Sequence, residues 1–139
     1  MEVACAEIKA QRIHQIVFGD LFLEDLRAYR IEKLAAAGMR AVFPLWNHDT
    51  AALAREMIAS GLVAHITCID PRRLDRRFAG RQFDGEFLYD LPHDVDPCGE
   101  NGEFHTVVSG GPMFAASIPV SVGETVERDG FVFADVIPG

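Results

Sequence analysis

Positive charge is scarce in this chain of 139 residues: 13 Lys and Arg stand against 21 Asp and Glu, a formal net charge of −8. Such a balance argues against a nucleic-acid backbone or an anionic membrane as the main partner. Cysteine is scarce too, with three at positions 5, 68 and 98 and no CxxC spacing. An odd count without that spacing fits reduced thiols in the cytoplasm rather than a disulfide frame or a zinc knuckle. No apolar run approaches the roughly 18 residues needed to span a bilayer. The first residues, Met1-Glu2-Val3-Ala4-Cys5-Ala6-Glu7, lack a basic region ahead of an apolar one and do not read as a secretory signal. What the chain does have is a core: 49% of it is hydrophobic, with ten phenylalanines. Its length suits one domain or two small pieces.

One stretch gathers unusual chemistry. Asp96-Pro97-Cys98-Gly99-Glu100-Asn101-Gly102-Glu103-Phe104-His105-Thr106 holds two glycines, two glutamates, a histidine, a cysteine and an asparagine. Gly99 and Gly102 allow positive φ and a close approach of backbone to ligand. From Phe104 the pattern changes to Thr106, Val107 and Val108, which reads as a strand. The stretch is either an ordinary surface turn or a site that aims carboxylates, an amide and an imidazole from one edge.

The rest follows in order. Residues 2–11 read as a helix, and Ile13 to Phe18 as a strand buried on both faces, as in a parallel sheet. It ends at Gly19-Asp20, where Asp20 either caps the next helix or meets a ligand at the strand's carboxyl end. Residues 21–37 form an amphipathic helix stopped by Gly38. Arg27 is a surface charge, an i,i+3 partner of Glu24, or a functional residue. Met39 to Trp46 reads as the next strand, with Trp46 either core or site. Asp49 or Thr50 caps a helix reaching Ser60, with Gly61 as its stop. In the strand from Leu62 to Ile69, Val63, His65, Thr67 and Ile69 are expected on one face. Asp70-Pro71 is expected to start a short helix. The cluster of Arg72, Arg73, Arg76 and Arg77 reads as a solvated basic face or as a phosphate or carboxylate contact. Asp84 to Leu91 is a further short helix. Phe104 to Val108, an extended run from Met113 to Val122, and a hairpin at Asp129-Gly130 complete a small β meander.

Gly99-Glu100-Asn101-Gly102-Glu103-Phe104-His105-Thr106, followed by Gly111-Pro112-Met113-Phe114, resembles the C-terminal signature of the diphthine–ammonia ligase family, ATP pyrophosphatases of the PP-loop superfamily. Three more segments resemble the family: Val17-Phe18-Gly19-Asp20 with Leu23-Glu24-Asp25-Leu26-Arg27-Ala28-Tyr29-Arg30, then Phe43-Pro44-Leu45-Trp46, then Glu56-Met57-Ile58-Ala59-Ser60-Gly61-Leu62. The resemblance runs from about Ile13 to the end. The His105-Thr106 ending is closer to the bacterial branch. Two positions depart from the family pattern: Ile31 replaces an acid, and Asn47-His48 replaces glycine and arginine after the tryptophan.

The resemblance implies an α/β fold: the C-terminal part of a parallel-sheet, HUP-like nucleotide-binding domain over residues 1–46, then a smaller α+β substrate domain over 47–139. It implies ATP with Mg²⁺, adenylation of a carboxylate with release of pyrophosphate, and displacement of AMP by ammonia. Glu100 and Glu103 are then expected to be catalytic. Gly99, Asn101, Gly102, His105, Thr106 and Trp46 are expected to contact a small acyl substrate, and Gly19, Asp20 and Arg27 the nucleotide. The family's glycine- and serine-rich phosphate loop is not in these residues; the sole Gly-Gly, at 110–111, has no lysine after it. A shortened form, inactive alone, is therefore expected, and the sheet edge left open suggests a homo-oligomer or a missing N-terminal half as partner. Two other readings stand beside the ligase: a non-catalytic binding or assembly module, and a metal-dependent hydrolase using Asp96, Cys98, Glu100, Glu103 and His105, with Glu103 and His105 on one strand face.

Overall fold

Alternating strand and helix signals up to Trp46 produce a β–α–β unit in the computed structural model, which describes residues 2–139. Met1, the head of the N-terminal segment read above, lies outside the described residues. The chain divides into two units, Met1–His48 and Asp49–Gly139.

In the first unit, α1 (Glu2–Ala10) precedes β1 (Gln15–Val17), α2 (Glu24–Ala36) and β2 (Arg40–Val42). The two strands are parallel, with Ile16 opposite Ala41. Gly38, at φ +66°, turns the chain out of α2, a conformation that costs glycine little. A small core of Cys5, Leu34 and Met39 forms here, with Ile8, Ile16, Phe18, Ala37 and Ala41 packed on it. The expectation of a strand buried on both faces is corrected: Val17 is 65% exposed, because a two-stranded sheet carries its core on one face only. The second strand is also shorter than expected. It ends at Val42, and Pro44 to Asn47 form a turn in which Asn47 has φ +61°. Proline at 44 cannot donate to a ladder, which suits a turn better than a strand.

The second unit is helix on sheet. Here α3 (Thr50–Ala59) starts under an Asp49 cap whose carboxylate accepts the Ala52 N–H. It leads through Gly61 (φ +87°) into β3 (Val63–Ile69). A single 3₁₀ turn (Arg76–Phe78) and α4 (Gly85–Asp90), capped by Asp75 and Asp84, connect to β4 (Phe104–Gly110). The hairpin of β5 (Val120–Arg128) and β6 (Phe131–Pro138) turns at Asp129 (φ +52°) and Gly130 (φ +79°), as the Asp-Gly signal predicts.

The sheet order is β4-β3-β6-β5, antiparallel throughout. This corrects the meander: β6 returns to pair with β3, through Cys68 opposite Phe133 and Ile69 opposite Val132. The segment after Gly111 bends and turns, and pairs only from Val120. Asp70-Pro71 starts a turn and not a helix. Its carboxylate accepts the Arg72 N–H and its carbonyl accepts those of Arg73 and Leu74.

The strand face predicted for Val63, His65, Thr67 and Ile69 is broken by a bulge. Ala64 pairs with Val108 and Ile66 with Thr106, but Cys68 then pairs with His105 and Ile69 with Phe104. One extra residue on β3 between Ile66 and Cys68 moves the following side chains to the opposite face. Ile69 therefore joins Ala64 and Ile66 in the core, with Phe78, Phe83, Phe87 and Phe104. Phe87 sits at the centre, with ring centroids 5.7 Å from Phe78, 5.5 Å from Phe83 and 5.3 Å from Phe104. Phe87→Ala should cost about 3–5 kcal/mol of unfolding free energy in urea titration; a loss below about 1 kcal/mol would mean that this ring cluster does not hold the unit.

Candidate functional site

The loop ahead of β4 is closed by its own polar groups. Asp96 is buried, its Oδ2 accepts the Glu100 N–H at 2.8 Å, and its carbonyl accepts the Gly99 N–H at 2.9 Å. The Gly99 carbonyl accepts the Gly102 N–H at 3.0 Å. Gly99 and Gly102 take φ of +68° and +81°, a backbone region that favours glycine. A Cβ on Gly99 would also lie 2.9 Å from the Phe104 carbonyl oxygen, whereas one on Gly102 would meet nothing within 4 Å.

Glu103 anchors this turn. It is 1% exposed, and its Oε1 accepts the Asp96 N–H at 3.2 Å and an Asn101 side-chain N–H at 3.1 Å. Arg73 donates to the Asn101 carbonyl at 3.1 Å, and another of its nitrogens lies 4.0 Å from Glu103 Oε1. The Glu103 carbonyl accepts the Asp70 N–H at 2.9 Å. Its Oε2 is buried and takes no hydrogen bond within the chain. A buried carboxylate survives only with such partners, since its desolvation is costly.

Asp70 is the second fixed charge. Arg72 grips it with two side-chain nitrogens, at 2.8 and 2.7 Å. That guanidinium, with the Arg72 backbone N–H, holds the Asp70 carboxyl well below the usual range, at about 2. Three of the four clustered arginines, and Arg81 just beyond them, have partners within the chain. Arg72 takes Asp70, Arg73 takes the loop, Arg77 lies over the Phe78 ring and Arg81 pairs with Asp90.

Cys98 donates its S–H to the Thr50 carbonyl at 3.3 Å. Burial above all, then the charges of Asp96, Glu100 and Asp49, push its thiol up to about 12. It stays protonated at neutral pH and is no nucleophile. Beyond the loop, His105 and Thr106 diverge, as neighbours on a strand must. Thr106 lines a cavity with Met57, Leu62, Ala64, Phe83, Cys98, Phe104 and Val108, while His105 is exposed and pairs with Cys68.

Several expectations are corrected here. Glu103 and His105 do not share a face: Glu103 turns inward and His105 outward. The loop therefore does not aim all its polar groups from one edge. Among the described residues no group of three or more His, Cys, Asp and Glu side chains is placed to hold a metal ion. This removes the support for a hydrolase built on Asp96, Cys98, Glu100, Glu103 and His105.

In the first unit, Asp20 does not cap α2; the N-cap position is Leu23, which has no side-chain cap. Asp20 is buried with its Oδ2 2.8 Å from Arg30 Nε, an ion pair whose N–H is not aimed along the contact. Arg30 also covers the Phe18 ring at 4.3 Å. Arg27 lies 4.6 Å from the Trp46 ring centroid and 5.5 Å from that of Phe43, and 4.0 Å from Glu24. Trp46 is half-buried against this guanidinium and outside the small core. Gly19 precedes Asp20 with open space where a Cβ would stand. The structure thus brings Gly99, Glu100, Asn101, Gly102 and Glu103 together in the second unit, and Asp20, Arg27 and Trp46 fall in the first. Arg73 and Asp70 were missed as loop supports. Their only sequence signal was an arginine cluster next to an Asp-Pro pair, which says nothing about a partner 28 residues away.

The family model described as Diphthamide synthase C-terminal domain matches residues 49–134. A diphthine–ammonia ligase of Danio rerio is 32% identical over 123 residues, covering 82% of this chain and 47% of the relative. That of Homo sapiens is 30% identical over 120 residues, covering 82% of this chain and 45% of the relative. One from Schizosaccharomyces pombe is 30% identical over 111 residues, covering 76% of this chain and 18% of the relative. The chain therefore spans less than half the length of these relatives.

Two predictions test the loop. Gly102→Ala should cost about 1–2 kcal/mol for its left-handed backbone, and Gly99→Ala clearly more, because its Cβ also meets a backbone oxygen; equal costs in chemical denaturation would show that Phe104 does not press on Gly99. The Asp70 carboxyl, followed by ¹³C NMR, should titrate at about 2. Because this folded value lies below the ordinary 3.8, the stability it contributes is present above about pH 4 and is lost as pH falls through about 2. In Arg72→Ala the midpoint should return toward the ordinary value; a midpoint still near 2 would show that Arg72 is not the cause.

Proposed function

The chain belongs to the diphthamide synthase C-terminal domain family, and on that premise we propose that it is the substrate-side portion of an ATP-dependent, amide-forming ligase. In that reaction a carboxylate oxygen attacks the α-phosphorus of ATP and pyrophosphate leaves. Ammonia then attacks the acyl carbon, AMP leaves, and an amide remains. The relatives' names, diphthine–ammonia ligase, support this class of reaction.

The observation that carries the reading is the loop at 96–103, which lies within the matched residues and is held in one shape by the buried Glu103 carboxylate. A pre-shaped loop suits a reaction that depends on placing an acyl group and an amine in line. Glu100 is the carboxylate that orients the ammonium, and Glu103 acts from beneath by fixing Asn101. Gly99 and Gly102 let the backbone approach the substrate, and Thr106 contacts it from the core face of β4. Gly19, Asp20 and Arg27 serve the nucleotide side, where the Arg27–Trp46 pair offers an aromatic surface. The described residues form no metal cage, so Mg²⁺ belongs with the nucleotide, which it reaches with waters and few protein ligands. The His105-Thr106 ending supports a bacterial-type member acting on a small acyl substrate other than diphthine. Its setting is cytoplasmic, consistent with the three free cysteines, and no helix of the described residues is long and apolar enough to cross a membrane. The open edge strands β4 and β5 favour a homo-oligomer or a second polypeptide as partner.

A second reading rests on the loop itself: a turn held in one shape by Glu103 also suits a non-catalytic binding or assembly module that holds a ligand without transforming it. The two readings separate in one assay. The chain is titrated calorimetrically with ATP·Mg²⁺ and AMP, alone and together with the part of the zebrafish relative that the match leaves uncovered, and pyrophosphate is followed. The ligase reading expects nucleotide binding and ammonia-dependent pyrophosphate release only in the combined system, with Glu100→Gln lowering the rate about a hundredfold. No nucleotide binding in either form sinks that reading and leaves the binding module.

A further inference from the structure

The carboxylate of Glu103 is buried under the loop, and only one of its oxygens is satisfied. Oε1 accepts the Asp96 N–H at 3.2 Å and an Asn101 side-chain N–H at 3.1 Å. Oε2 is buried as well and accepts nothing within the chain. Arg73 does not serve it: one guanidinium nitrogen goes to the Asn101 carbonyl, and the other lies 4.0 Å from Oε1. A buried carboxylate oxygen without a donor is costly. Further negative charge stands close by. Asp96 is buried, gives its N–H to Glu103 and takes the Glu100 N–H on its Oδ2. After burial, the charges of Asp96, Glu100 and Asp49 are what push the Cys98 thiol up to about 12, so their field is felt inside the loop. Among the described residues, Arg73 is the one cation in the loop's own hydrogen bonds and ion pairs.

We propose that Glu103 Oε2 seats a free ammonium ion taken from solution, the amine donor of the ligase reading on which this inference rests. The chemistry of the position selects that ion. Oε2 is an acceptor, so its partner must donate a hydrogen bond. The carboxylates of Asp96, Glu100 and Glu103 are answered by one guanidinium, so the partner must also carry positive charge; a water molecule supplies the donor without the charge. A divalent metal needs several oxygen ligands around it, and no group of three or more His, Cys, Asp and Glu side chains among the described residues is placed for one. An ammonium ion is close to a water molecule in size and needs only acceptors at hydrogen-bond distance. An alkylammonium brings a carbon into a packed interior where Glu103 is 1% exposed. Because Oε2 is closed off from solvent, entry requires the loop to open, and the bound ion is then held away from bulk water. The seat lies one hydrogen-bonded residue from Glu100, since Glu103 holds Asp96 and Asp96 holds the Glu100 N–H. Glu103 thus has two tasks: Oε1 shapes the loop and Oε2 receives the nitrogen.

The test is a titration of the isotope-labelled 139-residue chain with ammonium chloride at neutral pH and constant ionic strength. The Glu103 carboxyl carbon and the Asn101 side-chain nitrogen are followed by NMR, with potassium chloride and methylammonium chloride as controls. Ammonium should shift both signals and saturate. Potassium, similar in size but without N–H groups, and methylammonium should do neither. Glu103→Gln keeps one oxygen for Asp96 and Asn101 and puts a donor where Oε2 stood. It should weaken ammonium at least about tenfold, through the loss of a charged hydrogen bond. Were that variant to misfold, the comparison of the three salts on the unaltered chain still decides. An unsaturable response, as expected where only water fills the position, or equal shifts with potassium or methylammonium, would overturn the seat. The ligase reading is decided separately by pyrophosphate release. Saturable ammonium binding without that release keeps the seat and drops the ligase; ammonia-dependent release with no shift at Glu103 does the reverse.

Discussion

A carboxylate withdrawn from the surface must be held by its surroundings, and Glu103, 1% exposed, sets that condition for the loop and the start of β4. Its Oε1 draws in the Asp96 N–H and the Asn101 amide, and its backbone carbonyl draws in the Asp70 N–H. The loop, the turn after β3 and the first residue of β4 are thereby fixed relative to one another. Each partner is itself secured. Asn101 is tied to Arg73 through its carbonyl, Asp96 binds the Glu100 N–H, and Asp70 is gripped by Arg72. Removing one member leaves a buried charge or dipole exposed to a medium that cannot solvate it, so the set behaves as a unit. A loop with two left-handed glycines would otherwise sample many shapes.

The same region shows how one extra residue in a strand shapes a surface. The bulge between Ile66 and Cys68 returns Ile69 to the core beside Phe104 and sends Cys68 to the other face with His105. Core packing is then complete at the Phe104 end of β4, where four aromatic rings meet, and incomplete at the Val108 end. On this edge strand the unfilled end of the core face leaves Thr106 and Val108 open to solvent. The loop anchored by Glu103 lies next to it in sequence, through Cys98 on one side and Thr106 on the other.

In the first unit, charge is absorbed by aromatic surface. Arg30 is shared between Asp20 and the Phe18 ring, and Arg27 between Glu24 and the Phe43 and Trp46 rings. Phe18 and Phe43 stack at 5.5 Å, so the two guanidiniums flank a continuous aromatic row. With a core of only a few apolar side chains, these contacts carry much of the packing between α2 and the strand ends.

What the sequence determined by itself is local. Asp49 and Asp84 cap their helices, Gly38 and Gly61 end theirs, and Asp129-Gly130 turns a hairpin, because each of these interactions closes within a few residues. The loop at 96–103 was legible as a polar turn with two special glycines for the same reason. Tertiary structure decided the rest. The pairing of β6 with β3 depends on residues more than sixty positions apart, and turned an expected meander into a different sheet. Alternation could not foresee the bulge at Thr67, since one inserted residue inverts every face that follows it. Nor could it say that Glu103 points inward and His105 outward, that Asp20 pairs with Arg30 instead of capping α2, or that Arg73 reaches back to the loop. Those outcomes turn on which buried charge finds a partner, and only the folded chain brings the partners within reach.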